Sequence, residues 1–423
     1  MEDDHVDTIE LEVPRYFICP ITLQIMKDPV TAVTGITYDR DSIEHWLATA
    51  EVVQCPVTKQ PLTKDSDLTP NHTLRRLIQA WCVTNASYGV DRIPTPKPPL
   101  TISHVTKLLR NLKSPDLFAI SLDALHLLAT EKEKKNRECM SEAGTAGVMI
   151  SLITKLSKES DHTMNAEGLS QNLSHALSIL YLTWQTVPKK KLILDSKEED
   201  EFIDSLLRIL GSDTIQDDVI VEVQTRAICL LKTVMEIANT RVLETLKFDF
   251  FMQIVNVIRK RTSPQAVKSA LQMLIDVCPW GRNRMKIVEA DAVFELVELE
   301  INGLEKNVSE LVFGLLAQLC SCADGRAQLI KHACGIAMVA KRMFKVSPAI
   351  DDRAVHILLL IGRFSARDEV VTELLRVGAV SKLCMVLQVD YAPSLKKKAR
   401  EILRLHANVW NNSPCMPLYI QTK

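Results

Sequence analysis

Residues 17–30 read FICPITLQIMKDPV, and this stretch decides how the first part of the chain is interpreted. A cysteine followed by Pro-Ile is compatible with a zinc-binding loop, and a two-zinc module needs four ligands for each tetrahedral ion. From residue 17 to residue 82 the chain offers only Cys19, His45, Cys55, His72 and Cys82. Because these ligands cannot fill two sites, we expect a folded module that binds no metal and needs no cofactor.

The residues that follow predict a hairpin and two helices. Strand-like runs on both sides of a Thr34-Gly35 turn, 30–33 and 36–38, predict the hairpin. Asp39 or Asp41 is predicted to cap the first helix, because a short acidic side chain accepts the free amides of a helix start. Apolar spacing predicts one buried face on each helix, formed by Ile43, Trp46 and Leu47 and by Leu74, Leu77, Ile78 and Trp81.

Six motifs in this region have the order and spacing of a known domain: CPI (19–21), MKDPV (26–30), GITYDR (35–40), IEHWL (43–47), CPVT (55–58) and LTPN (68–71). The segment resembles the U-box, a metal-free relative of the RING finger in which hydrogen bonds and salt bridges hold two loops in place of zinc. The resemblance implies that the following residues are structural: Cys19, Pro20, Asp28, Pro29, Gly35, Tyr38, Asp39, Arg40, Cys55, Pro70 and Asn71.

U-box domains bind a ubiquitin-conjugating enzyme in a shallow groove between the two loops and the first helix. Carried over by motif, the contact residues are Ile21, Leu23, Trp46, Pro56 and Val57. An exposed tryptophan beside apolar loop residues is typical of a binding hot spot, although Trp46 shares its helix face with core residues and a core role stays open. Lys59 occupies the position of a basic residue that bridges conjugating enzyme and ubiquitin in the family; an ordinary surface role is the alternative.

The resemblance implies a ubiquitin ligase that supplies no catalytic group of its own. A thioester-forming cysteine needs a neighbouring base or positive charge, and neither Cys19 nor Cys55 lies in a local Cys/His signature. We therefore expect a substrate lysine to attack the ubiquitin thioester of the conjugating enzyme, with no covalent ubiquitin intermediate on this chain.

A proline-rich run, IPTPKPP at residues 93–99, predicts an extended spacer before a helical region. Beyond it, three similar corners, ADAV (290–293), ACGI (333–336) and VGAV (377–380), start 43 and 44 residues apart, within the ~40–47 residue period of armadillo and HEAT repeats. A weaker copy is AGTA (143–146). Each corner resembles the junction between the second and third helices of an armadillo repeat. Segments 155–170 and 186–200 break the pattern and are expected to be loops.

A U-box followed by armadillo repeats is similar to the plant U-box ligases, and the short acidic N-terminus looks like their stress- and immunity-related branch. The expected fold is mostly α: a small α+β U-box followed by an armadillo-type right-handed α-solenoid. The predicted boundaries are an acidic N-terminus (1–13), the U-box (14–88), a Pro-rich linker (89–100), armadillo-like repeats (101–410) and a C-terminal tail (411–423).

Charge and hydropathy restrict the partners and the location. Lys and Arg number 51 against 52 for Asp and Glu, so no overall charge attracts nucleic acid. The longest apolar run, 355–361, is far shorter than the ~20 residues that span a bilayer, and the acidic N-terminus is the reverse of a presequence. We expect a cytoplasmic protein, with the nucleus as the alternative location.

The implied partners are a ubiquitin-conjugating enzyme, ubiquitin and a target protein held by the repeats. Whether the chain forms a homo-oligomer is left open. The alternative function is a non-enzymatic armadillo scaffold with a vestigial U-box.

Overall fold

The computed structural model describes residues 13–49, 54–63, 67–86, 100–131, 133–159, 166–184, 196–211 and 218–410. The chain divides into two compact units, residues 1–99 and 100–423. The predicted acidic N-terminus, Pro-rich linker and C-terminal tail lie outside the described residues, except for Val13 and Leu100.

The first unit combines a small antiparallel sheet with two helices. Its strands are β1 (Pro29–Thr31), β2 (Thr37–Asp39) and β3 (Thr69–Pro70), in the order β2-β1-β3. Val30 pairs with Tyr38 on one side and with Pro70 on the other. The helices are α1 (Arg40–Thr49) and α2 (His72–Thr84), which pack with the sheet around a core of its own. The predicted hairpin and both helices are confirmed.

One prediction for this unit is wrong in detail. Leu77 is exposed rather than part of the buried stripe, and the α2 core positions are Ile78 and Cys82. Leu77 lies one residue, about 100° of helix rotation, away from Ile78, and that rotation turns it to solvent. Asp39, one of the two predicted caps of α1, accepts the backbone amides of Lys27 and Asp28 through its Oδ1 at 2.7 and 2.8 Å.

The second unit is helical throughout its described residues. Its helices are α3 (Ile102–Asn111), α4 (Pro115–Thr130), α5 (Lys134–Glu142), α6 (Thr145–Glu159), α7 (Ala166–Trp184), α8 (Ser196–Gly211), α9 (Asp218–Ile237), α10 (Thr240–Thr245), α11 (Phe248–Lys260), α12 (Pro264–Val277), α13 (Asn283–Glu289), α14 (Ala292–Ile301), α15 (Lys306–Leu319), α16 (Ala323–Lys331), α17 (Gly335–Arg342), α18 (Pro348–Phe364), α19 (Asp368–Arg376), α20 (Ala379–Gln388), α21 (Pro393–Leu405) and α22 (Ala407–Trp410). Segments 155–159, 166–170 and 196–200, predicted to be loops, are therefore helical.

The helices of the second unit stack in two layers. One layer contains α4, α7, α9, α12, α15, α18 and α21, each packed against the next, and the other contains α6, α8, α11, α14, α17 and α20. A continuous hydrophobic core runs between the layers. This arrangement confirms a small α+β unit followed by a helical repeat. Among the described residues, no helix combines the length and apolar content that crossing a membrane requires.

The small-residue corners do not lie at the predicted junction between the second and third helices of a repeat. They join a short helix to the second-layer helix of the same repeat, as α13 joins α14 and α19 joins α20. At Gly378 the backbone is left-handed, with φ of 76°, and its amide donates to the Leu375 carbonyl, which ends α19. At Gly335 a Cβ would lie 2.0 Å from the Leu329 carbonyl oxygen, so a side chain there has no room.

Polar side chains of one repeat donate hydrogen bonds to backbone carbonyls of the repeat before it. The Asn283 side-chain amide donates to the Leu243 carbonyl at 2.7 Å, and the Gln328 side-chain amide donates to the Val288 carbonyl at 2.8 Å. In both cases the partners are 40 residues apart in sequence. Each bond satisfies a carbonyl near a helix end, and it therefore fixes how one repeat is placed on the repeat before it.

Candidate protein-docking surface

The first loop of the first unit is closed by its own backbone. The Cys19 amide donates to Gln24 O at 2.8 Å, and the Leu23 amide donates to Cys19 O at 2.9 Å. Leu23 is left-handed, with φ of 58°, and its side chain is 76% exposed. Ile21 is half-buried against the core. The loop thus leaves the Leu23 side chain in solvent, while the Ile21 side chain packs against the core.

The second loop repeats this construction. The Cys55 amide donates to Gln60 O at 2.8 Å, the Lys59 amide donates to Cys55 O at 3.0 Å, and Lys59 is left-handed with φ of 61°. The two loops read CPITLQ (19–24) and CPVTKQ (55–60). This internal repeat was not among the predictions, although the shared letters C-P-x-T-x-Q contain it. In this register Leu23 corresponds to Lys59.

Two consecutive residues of β2 bind the cysteines of the two loops. The Asp39 amide donates to the Cys19 sulfur at 3.3 Å, and the Tyr38 hydroxyl lies 3.0 Å from the Cys55 sulfur. Thr34 Oγ1 and the Thr58 amide also donate to the Cys55 sulfur, each at 3.4 Å. Because Tyr38 and Asp39 are neighbours on one strand, these bonds hold both loops at the same end of the unit.

The hydrogen bonds change the acidity of both thiols. Burial raises the pKa of Cys55, but the bonds from Thr34, Thr58 and Tyr38 outweigh burial and lower its pKa to about 6. Burial also acts on Cys19, where backbone amides, that of Asp39 foremost, lower the pKa below its ordinary value. Both sulfurs are fully buried, so these bonds stabilise the loops and neither sulfur meets solvent.

Trp46 joins α1 to the second loop. Its indole Nε1 donates to Gln54 O at 3.0 Å, and its ring is half-buried against the core. On the second loop, Val57 is exposed and Pro56 is half-buried. The structure thus places Ile21 and Leu23 on one loop and Pro56, Val57 and Lys59 on the other, with Trp46 bonded to the second loop.

Charged side chains fasten the residue that precedes β1 to both helices. Arg40 Nε lies 2.7 Å from Asp28 Oδ2, and Arg75 Nη1 lies 3.4 Å from Asp28 Oδ1. These ion pairs connect the start of β1 with α1 and α2. Asn71 caps α2 by accepting the Leu74 amide at 3.0 Å, and β3 brings Pro70 next to Val30.

The remaining predicted structural residues have separate positions. Pro29 is buried at the start of β1, Gly35 is left-handed in the hairpin turn with φ of 78°, and Pro20 is exposed in the first loop. Within the described ranges, no group of three or more His, Cys, Asp or Glu residues converges on one point.

Comparison with known proteins matches both units. The model of the U-box domain matches residues 13–87, and the model of the plant U-box protein ARM repeat region matches residues 104–423. The E3 ubiquitin-protein ligase PUB23 of Arabidopsis thaliana is 42% identical over 412 residues, which cover 96% of each chain. The E3 ubiquitin-protein ligase PUB24 of the same plant is 40% identical and covers 98% of this chain and 96% of its own.

Solved structures show the same fold at low identity. A chain from a study of the interaction between cadherin and beta-catenin superposes with a TM-score of 0.54 at 10% identity, covering 79% of this chain and 58% of that chain. This likeness concerns the helical fold alone.

Proposed function

Because the chain belongs to the plant U-box proteins with an ARM repeat region and is a ubiquitin-protein ligase, we propose that its two U-box loops dock the ubiquitin-conjugating enzyme. The armadillo repeats hold the target. One observation carries the docking proposal: two loops of the same construction, both bound to β2, present apolar side chains to solvent, with Leu23 76% and Val57 50% exposed. Exposed apolar residues on a rigid frame are typical of a protein-binding hot spot.

The reaction proceeds on the conjugating enzyme. The amine of a target lysine attacks the thioester carbonyl, an isopeptide bond forms, the carbon–sulfur bond breaks, and the sulfur leaves as the conjugating enzyme's thiolate. Cys19 and Cys55 cannot accept ubiquitin from that thioester, since both sulfurs are fully buried and hydrogen-bonded within the U-box. The U-box contributes position, because holding the reacting groups near attack geometry removes much of the entropic cost.

In the same proposal, Lys59 extends the docking surface and contacts ubiquitin. It is exposed at the left-handed corner of the second loop, the position that Leu23 occupies in the first. An ammonium group there is a point charge with three donors and lacks the planar fork of arginine. It therefore suits a single carbonyl or carboxylate of ubiquitin better than a bidentate contact.

A binding and chain-assembly assay tests the docking site. With purified full-length chain, activating enzyme, conjugating enzyme and ubiquitin, Leu23→Ala should strongly reduce both affinity for the conjugating enzyme and free-chain assembly. Leu77→Ala is the matched control, because Leu77 is also an exposed leucine of the U-box but lies on α2. Equal activity of the two variants would show that docking occurs elsewhere. Wild-type binding without chain assembly would favour the scaffold alternative.

The cellular setting is a further part of the proposal. The protein acts in plant stress or immune signalling, in the cytoplasm with the nucleus as the alternative. Imaging of a fluorescent fusion before and after an immune stimulus tests it, and exclusive residence in another compartment would contradict it. Light scattering of the purified chain decides whether a homo-oligomer forms.

A further inference from the structure

The exposed side of α21 carries a concentration of positive charge. Lys397, Arg400 and Arg404 are all exposed and follow one another at helical spacing. Together with Glu401 and Leu405 they line an open hollow of about 660 Å³. The whole chain has a formal net charge of −1, so this surface, with three cations against the one carboxylate of Glu401, differs from the average composition.

The acidic side chains near this surface already have partners. Glu401 is paired with Arg363 of α18, and the hydrogen bond from Arg363, with a smaller effect of Lys397, lowers the pKa of Glu401. Asp352 of α18 pairs with Lys398 at 2.8 Å. Among the described residues, Arg400 and Arg404 have no ion pair, and residues 411–423 contain no Asp or Glu.

This arrangement is unfavourable for the helix on its own. Lys396 and Arg400, and again Arg400 and Arg404, are like charges four residues apart, and such pairs destabilise a helix by a few tenths of a kcal/mol. Arg404 is compensated in part by its place in the last turn, where the helix dipole favours a cation. Arg400 lies too far from the end of α21 to receive this compensation.

We propose that the α21 hollow binds an acidic segment of a partner protein. The inference rests on the proposed function, because a target of the ligase is the partner in question. Arginine guanidinium groups bind carboxylates through two parallel hydrogen bonds. Lys397 and Arg404 are separated by about 10 Å along the helix, a length that an extended peptide covers in about three residues. A short run of Asp and Glu residues can therefore meet all three cations.

Fluorescence anisotropy with the full-length chain tests the proposal. The probe is a fluorescein-labelled peptide with a run of Asp and Glu, and its Asn/Gln counterpart serves as the neutral probe. The acidic probe should bind and the neutral probe should not, and added salt should weaken binding. Arg400→Glu combined with Arg404→Glu should weaken it about tenfold or more.

The matched control applies the same charge change outside the hollow, with Arg241→Glu on α10 and Lys331→Glu on α16, both exposed. It should bind the acidic probe like the wild type. If circular dichroism shows that the Arg400/Arg404 double variant is unfolded, Arg400→Gln with Arg404→Gln replaces it. Equal affinity of variant and control, or tighter binding of a single-stranded oligonucleotide than of the peptide, overturns the proposal.

Ubiquitin and conjugating enzyme are absent from this binding assay, so its result is independent of ligase activity. Peptide binding without free-chain assembly would contradict the docking proposal and support the proposal for the α21 hollow. Normal chain assembly without peptide binding would support the docking proposal and overturn the proposal for the α21 hollow.

Discussion

The indole Nε1 of Trp46 donates to the backbone carbonyl of Gln54 across 3.0 Å. Trp46 belongs to α1, and Gln54 is the residue before the second loop. The side chain is also half-buried against the U-box core. Trp46 therefore has a packing role and a loop-positioning role at once, so the docking and core interpretations do not exclude each other.

Replacing Trp46 by Phe should separate these two roles. Phenylalanine keeps most of the packing but loses the donor, which costs about 1 kcal/mol of stability. The U-box should remain folded while affinity for the conjugating enzyme falls, because the second loop loses its attachment to α1. Titration calorimetry and circular dichroism measure the two effects. Trp81→Phe is the control: Trp81 is half-buried on α2 against Phe17, so its loss should reduce stability and leave docking unchanged.

Replacing Leu23 by Gly should affect stability and function in opposite directions. A left-handed backbone costs a residue with a Cβ roughly 1–2 kcal/mol, and glycine removes that cost. The side chain is mostly exposed, so little packing is lost with it. We expect an unchanged or higher melting temperature together with weaker conjugating-enzyme binding. If binding is unchanged in this variant, the apolar tip of the first loop has no part in docking.

The Cys55 thiol should make U-box stability depend on pH. Its pKa of about 6 lies below the ordinary thiol value of 9.0, so the folded state favours the thiolate. This contribution is fully present above pH ~9 and is lost as pH falls through ~6. Thermal melts of fragment 1–99, which has its own core, should therefore show stability increasing from pH 6 to pH 9. Cys55→Ser should reduce this slope.

Cys82 provides the control for that experiment. It is buried like Cys55, but burial raises its pKa, so Cys82→Ala should retain the wild-type slope. Equal slopes for Cys55→Ser and the wild type would show that the thiol does not ionise in this range.

A buried ion pair between repeats should be costly to break. Arg342 Nε of α17 lies 2.7 Å from Glu300 Oε1 of α14, and the Glu300 side chain has no exposure. Arg342→Met leaves an unpaired buried carboxylate, which should cost ~3 kcal/mol or more. The double variant Glu300→Leu with Arg342→Met should recover much of this stability. Chemical denaturation of the wild type, the two single variants Arg342→Met and Glu300→Leu, and the double variant gives the coupling energy, and additive losses would contradict the prediction.

Arg259 and Glu295 offer a more exposed pair for comparison. They also join successive repeats, α11 and α14, at 2.7 Å, but their side chains are 44% and 13% exposed, against 23% for Arg342 and none for Glu300. Solvent weakens such a pair, so Arg259→Met should cost less than about 1 kcal/mol. A similar cost for Arg259→Met and Arg342→Met would show that burial does not set the strength of the Glu300 pair.

The sequence by itself determined those features of this protein that depend on residues close together in the chain. Six motifs in a fixed order identify the U-box, because hairpin turn, helix start and loop residues are each set by nearby residues. The corners near residues 290, 333 and 377 reveal the repeat, because each places small residues at a tight turn between two helices and the turn recurs at a regular interval. The similar sequences CPITLQ (19–24) and CPVTKQ (55–60) likewise indicate that the two loops have the same backbone construction.

Only the tertiary structure decided which of these residues meet. Helical spacing placed both Leu77 and Ile78 on the predicted core face of α2. In the structure, α2 packs with Ile78 buried and Leu77 exposed. The sequence pattern also did not predict that Arg342 pairs with Glu300, or that Trp46 bonds to Gln54. Periodicity reports which face of a helix is apolar, whereas these contacts depend on the rotation and register with which one element packs on another. That register is set by many side chains together and leaves no short pattern in the chain.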